Sequence, residues 1–291
     1  MAMYIDIPSQ GAAVIRTKAA GVLSYHRDVY NGDRHYSFLT PIVGGFSAIG
    51  HVAALGSDAT SLKEGQLVYI DCVIHARDNP DTPFLSTIHE SHTKVPFGDL
   101  RDIRLKPGET IIVSPLAGGY SGGGVLVAIA MGARGIAMGC NEAKHAMLKN
   151  YVLAGKPNDQ IEIVKITGDE AMDLQALQSF VTIDAVLDLT PPHASKSLRL
   201  RDAASALYRG GRVSVVGFVE QPVVSWTFVG KNIMMKGKLM YERNDIVQFF
   251  RMLEGGLFLQ GRKFVKTKTF PLGGWEKALM LPVSIQELAN K

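Results

Sequence analysis

The sequence predicts an α/β fold: a doubly wound parallel sheet of five or six strands, preceded by a β-rich region of the small-barrel kind. Three observations predict it. From Lys106-Pro107-Gly108 onward, short apolar β-branched runs alternate with helix-length segments. The first such unit, residues 110–134, links an apolar run (110–113) through a glycine-crowded turn to an uncharged apolar run (125–131). That order of strand, tight loop and helix opens a dinucleotide-binding sheet. Before residue 98 the pattern is different, with short strands interrupted by glycines.

In the β-rich region, residues 12–20 read as a strand ended by Gly21. Residues 43–55 alternate loosely and carry Gly44, Gly45 and Gly50, which suit bulges and corners. Lys63-Glu64-Gly65 is a turn feeding a strand over 66–74. Residues 75–98 are irregular and contain His75, His89 and His92, without a Cys, Asp or Glu set at metal-ligand spacing.

Beyond the opening unit the elements follow in order. Residues 135–138 form a second strand, and Asn141 caps a helix over 142–151. A third strand spans 161–166 and an amphipathic helix 169–180. Residues 183–189 form a fourth strand, with a helix over 193–209 closed by Gly210-Gly211. Strands over 212–218 and 232–241 and a helix over 244–253 complete the sheet, leaving a strand over 263–270 and a short helix near 275–279.

Composition narrows the function classes. The 291 residues are 46% hydrophobic and 20% charged, with a net charge of +4. Lys and Arg are scattered, with no basic stripe of the kind nucleic acid requires. The longest apolar run is too short for a membrane span, and the N-terminus has no signal-peptide pattern. Two distant cysteines, Cys72 and Cys140, fit a reducing, cytoplasmic setting.

In a doubly wound sheet the ligand crosses the C-terminal strand ends, here the loops 115–122, 139–144, 188–192 and 216–222. Interior glycine costs a helix about 1 kcal/mol relative to alanine. The loop Gly118-Gly119-Tyr120-Ser121-Gly122 therefore reads as a cradle where a pyrophosphate meets backbone N–H groups. It departs from a strict G-x-G-x-x-G, with Leu116 in the first glycine place and Ser121 in the last. About 20 residues on, where an NAD site carries Asp or Glu, stand Gly139-Cys140-Asn141. Lys144 and His145 lie one turn further. Loss of the carboxylate, with Lys144 available to a 2′-phosphate, favours NADP(H) over NAD(H). Thr190, Gly217 and Phe218 sit at the ends of the fourth and fifth strands, where nicotinamide and its ribose would rest.

The stretches AAGVLSYHRDVYNG (19–32), PIVGGFSAIGHVAALGSDATSLKEGQLVYIDCV (41–73), LKPGETIIVSPLAGGYSGGGVLVAIAMGARGIAMGCNEAK (105–144) and FVEQPVVSWTFVGKNIMMKGKLMYE (218–242) resemble the medium-chain dehydrogenase/reductase superfamily. The nearest likeness is to its zinc-less, fungal alcohol-dehydrogenase-like and quinone-oxidoreductase-like branch. The resemblance implies a GroES-like catalytic domain over 1–104, a Rossmann domain over 105–245 and a return to the first domain over 246–291. It also implies that the barrel is incomplete. Relatives carry several dozen residues between segments corresponding to 89–91 and 101–109, and here nine residues bridge them.

Zinc-dependent relatives place a ligand Cys where Tyr25 stands and a ligand His where Phe46 stands, so the resemblance implies no zinc. Tyr25 and His26 then become the candidate catalytic pair, Tyr25 donating to a carbonyl oxygen and His26 relaying a proton. The expectation is an NADPH-dependent oxidoreductase that transfers a hydride to a carbonyl or activated C=C of a small molecule. The alternative is an impaired pseudoenzyme that binds a dinucleotide or a protein partner. Relatives commonly pair as homodimers through the strand corresponding to 233–241.

Overall fold

A computed structural model of the chain describes residues 8–23, 26–33, 45, 47–71, 73–75, 83–85, 96–116, 119–155, 160–180, 182–191, 194, 196, 199–238, 241–258 and 268–280. The chain divides into two compact units, residues 1–93 with 269–291, and residues 94–268.

The first unit begins with β1 (Ala13–Ala20), the short α1 (His26–Tyr30), β2 (Ala48–Leu55) and β3 (Leu67–Ile70). These strands form an antiparallel sheet in the order β1-β2-β3, and β4 (Val73–His75) pairs with β5 (Pro83–Leu85). The β1–β2 register slips twice, between Val14 and Ile15 and between Thr17 and Ala19. Gly50 lies beside the second slip, where a Cβ would come within 2.6 Å of Arg16 O. The chains approach too closely there for any side chain, which is why a glycine sits inside a strand.

The second unit opens with α2 (Pro96–Asp102), then β6 (Thr110–Ser114), α3 (Gly119–Ala130), β7 (Arg134–Gly139), α4 (Glu142–Gly155), β8 (Ile161–Lys165) and α5 (Glu170–Gln178). It continues with β9 (Ala185–Asp188), α6 (Arg199–Ala206), β10 (Arg212–Val215), α7 (Trp226–Lys231), β11 (Met234–Gly237) and α8 (Arg243–Glu254). The six strands form a parallel sheet in the order β11-β10-β9-β6-β7-β8. This is the Rossmann-type doubly wound sheet. Near the end of the chain α9 (Trp275–Leu279) belongs to the first unit.

Alternation along the central strands builds two apolar layers. Ile111 and Val113 of β6 face Val125 and Ala128 of α3, and Leu148 and Val152 of α4. Ile112 faces the other layer, with Leu177 of α5 and Leu200, Ala203 and Ala204 of α6. Each fully buried aliphatic side chain contributes about 1.5–3 kcal/mol. That explains why these strands read as continuous apolar runs.

Leu100 and Ile103 are fully buried in the first apolar layer, and Phe258 joins them. Among the described residues, 96–104 and 246–258 thus pack with the parallel sheet. The expected helix over 193–209 is α6, beginning at Arg199, and the helix after the glycine loop begins at Gly119, six residues before the apolar run. Three helices went unread, α1, α2 and α7. The expected strand over 263–270 lies mostly outside the described residues.

Candidate functional site

Strand order reverses between β6 and β9, which opens a crevice at their C-terminal ends. The register places Ser114 beside Asp188, and Leu189 N donates to Ser114 O at 2.8 Å. The chain then crosses the end of β7, where Leu116 N donates to Met138 O at 2.6 Å. Leu116, in the first glycine place, is buried.

Gly119, Tyr120, Ser121 and Gly122 form the first turn of α3, and Gly118 lies outside the described residues. This turn has no acidic residue, so its N–H groups and the helix dipole favour an anion. A Cβ on Gly122 would meet nothing within 4 Å, so packing within the protein does not require glycine there. Ser121 is buried. Tyr120 is turned away from the turn, its hydroxyl donating to Asp99 Oδ2 of α2 at 3.0 Å. Burial first, and then the Asp99 carboxylate, hold its phenol well above the usual tyrosine range. Tyr120 thus ties α3 to α2.

Thr190 and Gly217 come together through Asp188, the residue that ends β9. Thr190 Oγ1 donates to Asp188 Oδ1 at 2.7 Å, and both residues are buried. Val216 N and Gly217 N each donate to Asp188 O at 3.1 Å, and Phe218 N donates to Thr190 O at 2.7 Å. A Cβ on Gly217 would lie 2.2 Å from Thr190 N and 2.6 Å from Asp188 Oδ2. Gly217 is therefore required by close approach. Phe218 is exposed just beyond this clip. An acid at a strand end followed two residues on by Thr is the local signal for it.

At the end of β7, Asn141 caps α4 as expected, its Oδ1 accepting from Lys144 N at 3.0 Å. Lys144 is half-buried on that turn. Glu142, the acid of the first turn, is exposed and bonded to Lys165 Nζ at 2.6 Å. That hydrogen bond lowers the Glu142 carboxyl and raises the Lys165 ammonium from their ordinary values. His145 is buried behind them, and its Nε2 has no hydrogen-bond partner among the described residues. Burial outweighs the pull of Glu142 and lowers the His145 pKa from its ordinary value.

In the first unit His26 is buried, and its Nδ1 accepts from Leu23 N at 3.3 Å. Its ring lies 5.7 Å from that of Tyr30. Tyr25 and Phe46 lie outside the described residues, as do His89 and His92. Among the described residues no group of three or more His, Cys, Asp or Glu could hold a metal ion, and no helix is long and apolar enough to cross a membrane. A separate groove of about 810 Å³, lined by Thr110, Arg134, Lys149, Gln160 and Glu162 among others, opens at the N-terminal strand ends, away from the crevice.

Residues 9–119 match the alcohol dehydrogenase GroES-like domain. Among solved structures, the chain is similar to the alcohol dehydrogenase TADH from Thermus sp. ATN1, with 17% identity, 91% of this chain and 88% of that chain covered, and a TM-score of 0.72. It is similar to a cobalt- and zinc-bound thermostable alcohol dehydrogenase from Pyrobaculum aerophilum, with 20% identity, 94% and 88% covered, and a TM-score of 0.66. A third likeness is to the D-arabinose dehydrogenase from Sulfolobus solfataricus, with 14% identity, 93% and 94% covered, and a TM-score of 0.66. The chain thus matches the alcohol dehydrogenase GroES-like domain over residues 9–119, and its fold is similar to that of these dehydrogenase structures.

Proposed function

We propose that the chain is a zinc-independent oxidoreductase that uses NADP(H) and transfers a hydride to a carbonyl or activated C=C of a small molecule. The observation that carries the reading is the reversal of strand order between β6 and β9, with the glycine-bearing first turn of α3 and the Asp188–Thr190–Gly217 clip at those strand ends. Its residues fit a dinucleotide: the space above Gly122 is open, and the end of β7 has no side chain at Gly139.

The first turn of α3 would hold the pyrophosphate by N–H groups that no intrahelical carbonyl can serve. Thr190, Gly217 and Phe218 would border the nicotinamide end, with the clip fixing their backbone. Lys144 would pair with a 2′-phosphate beside a strand end that lacks the usual carboxylate. When bound, the cofactor supplies the hydride. Tyr25 would polarise the substrate oxygen by donating a hydrogen bond, the task zinc performs in other members of the superfamily. Zinc independence rests on Tyr25 and Phe46 standing in the ligand places, since phenylalanine has no donor atom.

Burial of His26, with Nδ1 held by Leu23 N, favours a second reading, in which this turn packs and the protein binds a dinucleotide without turnover. Turnover against quinones, enones and aldehydes with NADPH or NADH separates the two. Reduction of any of them supports the oxidoreductase, and dinucleotide binding with no reduction favours the second reading. A homodimer through β11 is the proposed assembly: Met234 on that edge strand and the neighbouring Trp226 and Val229 of α7 are exposed.

A further inference from the structure

We infer that His145 keeps the ribose subsite free of a carboxylate and so determines which dinucleotide the crevice accepts. The inference rests on the dinucleotide reading above and adds to it a specificity residue. Gly139 ends β7 at the place where NAD sites carry their acid. A Cβ there would lie 2.7 Å from His145 Nε2, 2.9 Å from Leu116 O and 3.1 Å from Leu116 Cβ. The first two distances are shorter than side chains tolerate. The imidazole, together with the Leu116 carbonyl, thus occupies the room that an aspartate at position 139 would need.

A second observation is independent of that contact. His145 is only 3% exposed, and its Nε2 has no hydrogen-bond partner among the described residues. A buried nitrogen without a partner is destabilising, and an apolar residue would fill the same place in the layer without that penalty. In the first turn of α4 Glu142 is bonded to Lys165 at 2.6 Å, and Lys144 stands on the same turn. A 2′-phosphate would then meet backbone and Lys144, with no carboxylate at position 139 and that of Glu142 bonded to Lys165. Changing the preference to NAD(H) requires both positions to change, since Gly139→Asp alone forces a carboxylate against a buried ring.

The test uses the full chain in a thermodynamic cycle: wild type, Gly139→Ala, His145→Ala and the double variant, followed by thermal unfolding. Gly139→Ala should lower Tm by several degrees in the wild type and by less than half as much beside His145→Ala, the residue of the loss coming from the Leu116 O contact. His145→Leu, which keeps an apolar filling but reaches less far, serves as a second background. Gly139→Asp is then titrated with NADPH and NADH in each background. It should raise the NADH-to-NADPH affinity ratio about tenfold only where His145 has been replaced. Additive losses of Tm, or the same gain in ratio with His145 intact, would overturn the inference. If the wild type binds neither dinucleotide, the dinucleotide reading falls and the specificity role falls with it, while the Tm cycle still reports the steric contact by itself.

Discussion

Thr190 Oγ1 donates a 2.7 Å hydrogen bond to Asp188 Oδ1, and the backbone carbonyls of this buried pair join the end of β9 to the segment that follows β10. Asp188 O serves two further N–H groups, from Val216 and Gly217. One short segment thereby fixes the backbone on which a nicotinamide would rest.

Gly217→Ala should disrupt this clip most, because its Cβ would meet backbone atoms that cannot swing aside. Overpacking of this kind costs about 1–3 kcal/mol. Thr190→Val removes a hydrogen bond to a carboxylate, with an expected loss of about 1.5–3 kcal/mol. Urea denaturation measures both, and dinucleotide affinity should fall alongside. A Gly217→Ala protein as stable as the wild type would show that the ends of β9 and β10 are less tightly joined than these distances imply.

Lys144→Ala should weaken NADPH binding more than NADH binding, since only NADPH offers a 2′-phosphate. A several-fold difference in the two losses is expected from one charge-assisted contact. Equal losses would remove Lys144 from that role.

The sheet was legible in the sequence because its central strands are buried on both faces and read as apolar runs between glycine or proline turns. Ile111, Ile112 and Val113 are all fully buried. Helix α2 went unread because seven residues give too little periodicity, although Pro96 at its first position is a start signal. Helix α7 is six residues long and capped by Ser225, whose side chain accepts from Thr227 N, and it was hidden inside a loop. The early start of α3 was masked by its own glycines. Of the candidate site, the glycine turn and the bare end of β7 were visible, being local. The Tyr120–Asp99 bond spans 21 residues and the Gly139–His145 contact depends on how α4 packs, so neither can be read from spacing.

Stability should decline as pH falls below 6.5, in part through His145. Its folded-state pKa is lowered by burial from the ordinary value of 6.5, so the unfolded chain takes up the proton first. The contribution is complete above pH 6.5 and is lost progressively as pH falls toward the folded-state value. Replacing the titrating ring by His145→Leu should flatten the pH dependence of Tm below pH 6.5. An unchanged slope would assign that pH dependence to other groups.

Asp102 joins α2 to β11 through ion pairs with Lys238 at 2.9 Å and Lys236 at 3.1 Å. Burial works to raise its carboxyl, but the hydrogen bonds and charges of Lys238 and Lys236 prevail and lower it below the ordinary 3.8. Its contribution is therefore present above pH 3.8 and is lost as pH falls through the lower folded-state value. Asp102→Asn should cost about 1–3 kcal/mol at neutral pH, because the largely buried Lys238 loses a charged partner. Denaturation curves at pH 7 and pH 3 check this: the difference between variant and wild type should shrink at the lower pH. An equal difference at both would count against the ion pair.

The most direct measurement is a titration of the purified protein with NADPH and then NADH, followed by protein or cofactor fluorescence. Saturable binding of both, with NADPH the tighter, is the predicted result. It would show that the first turn of α3 and the bare end of β7 work as a dinucleotide site. Binding of neither would contradict the account at its centre. Tighter binding of NADH would contradict the role given to Gly139, Lys144 and His145.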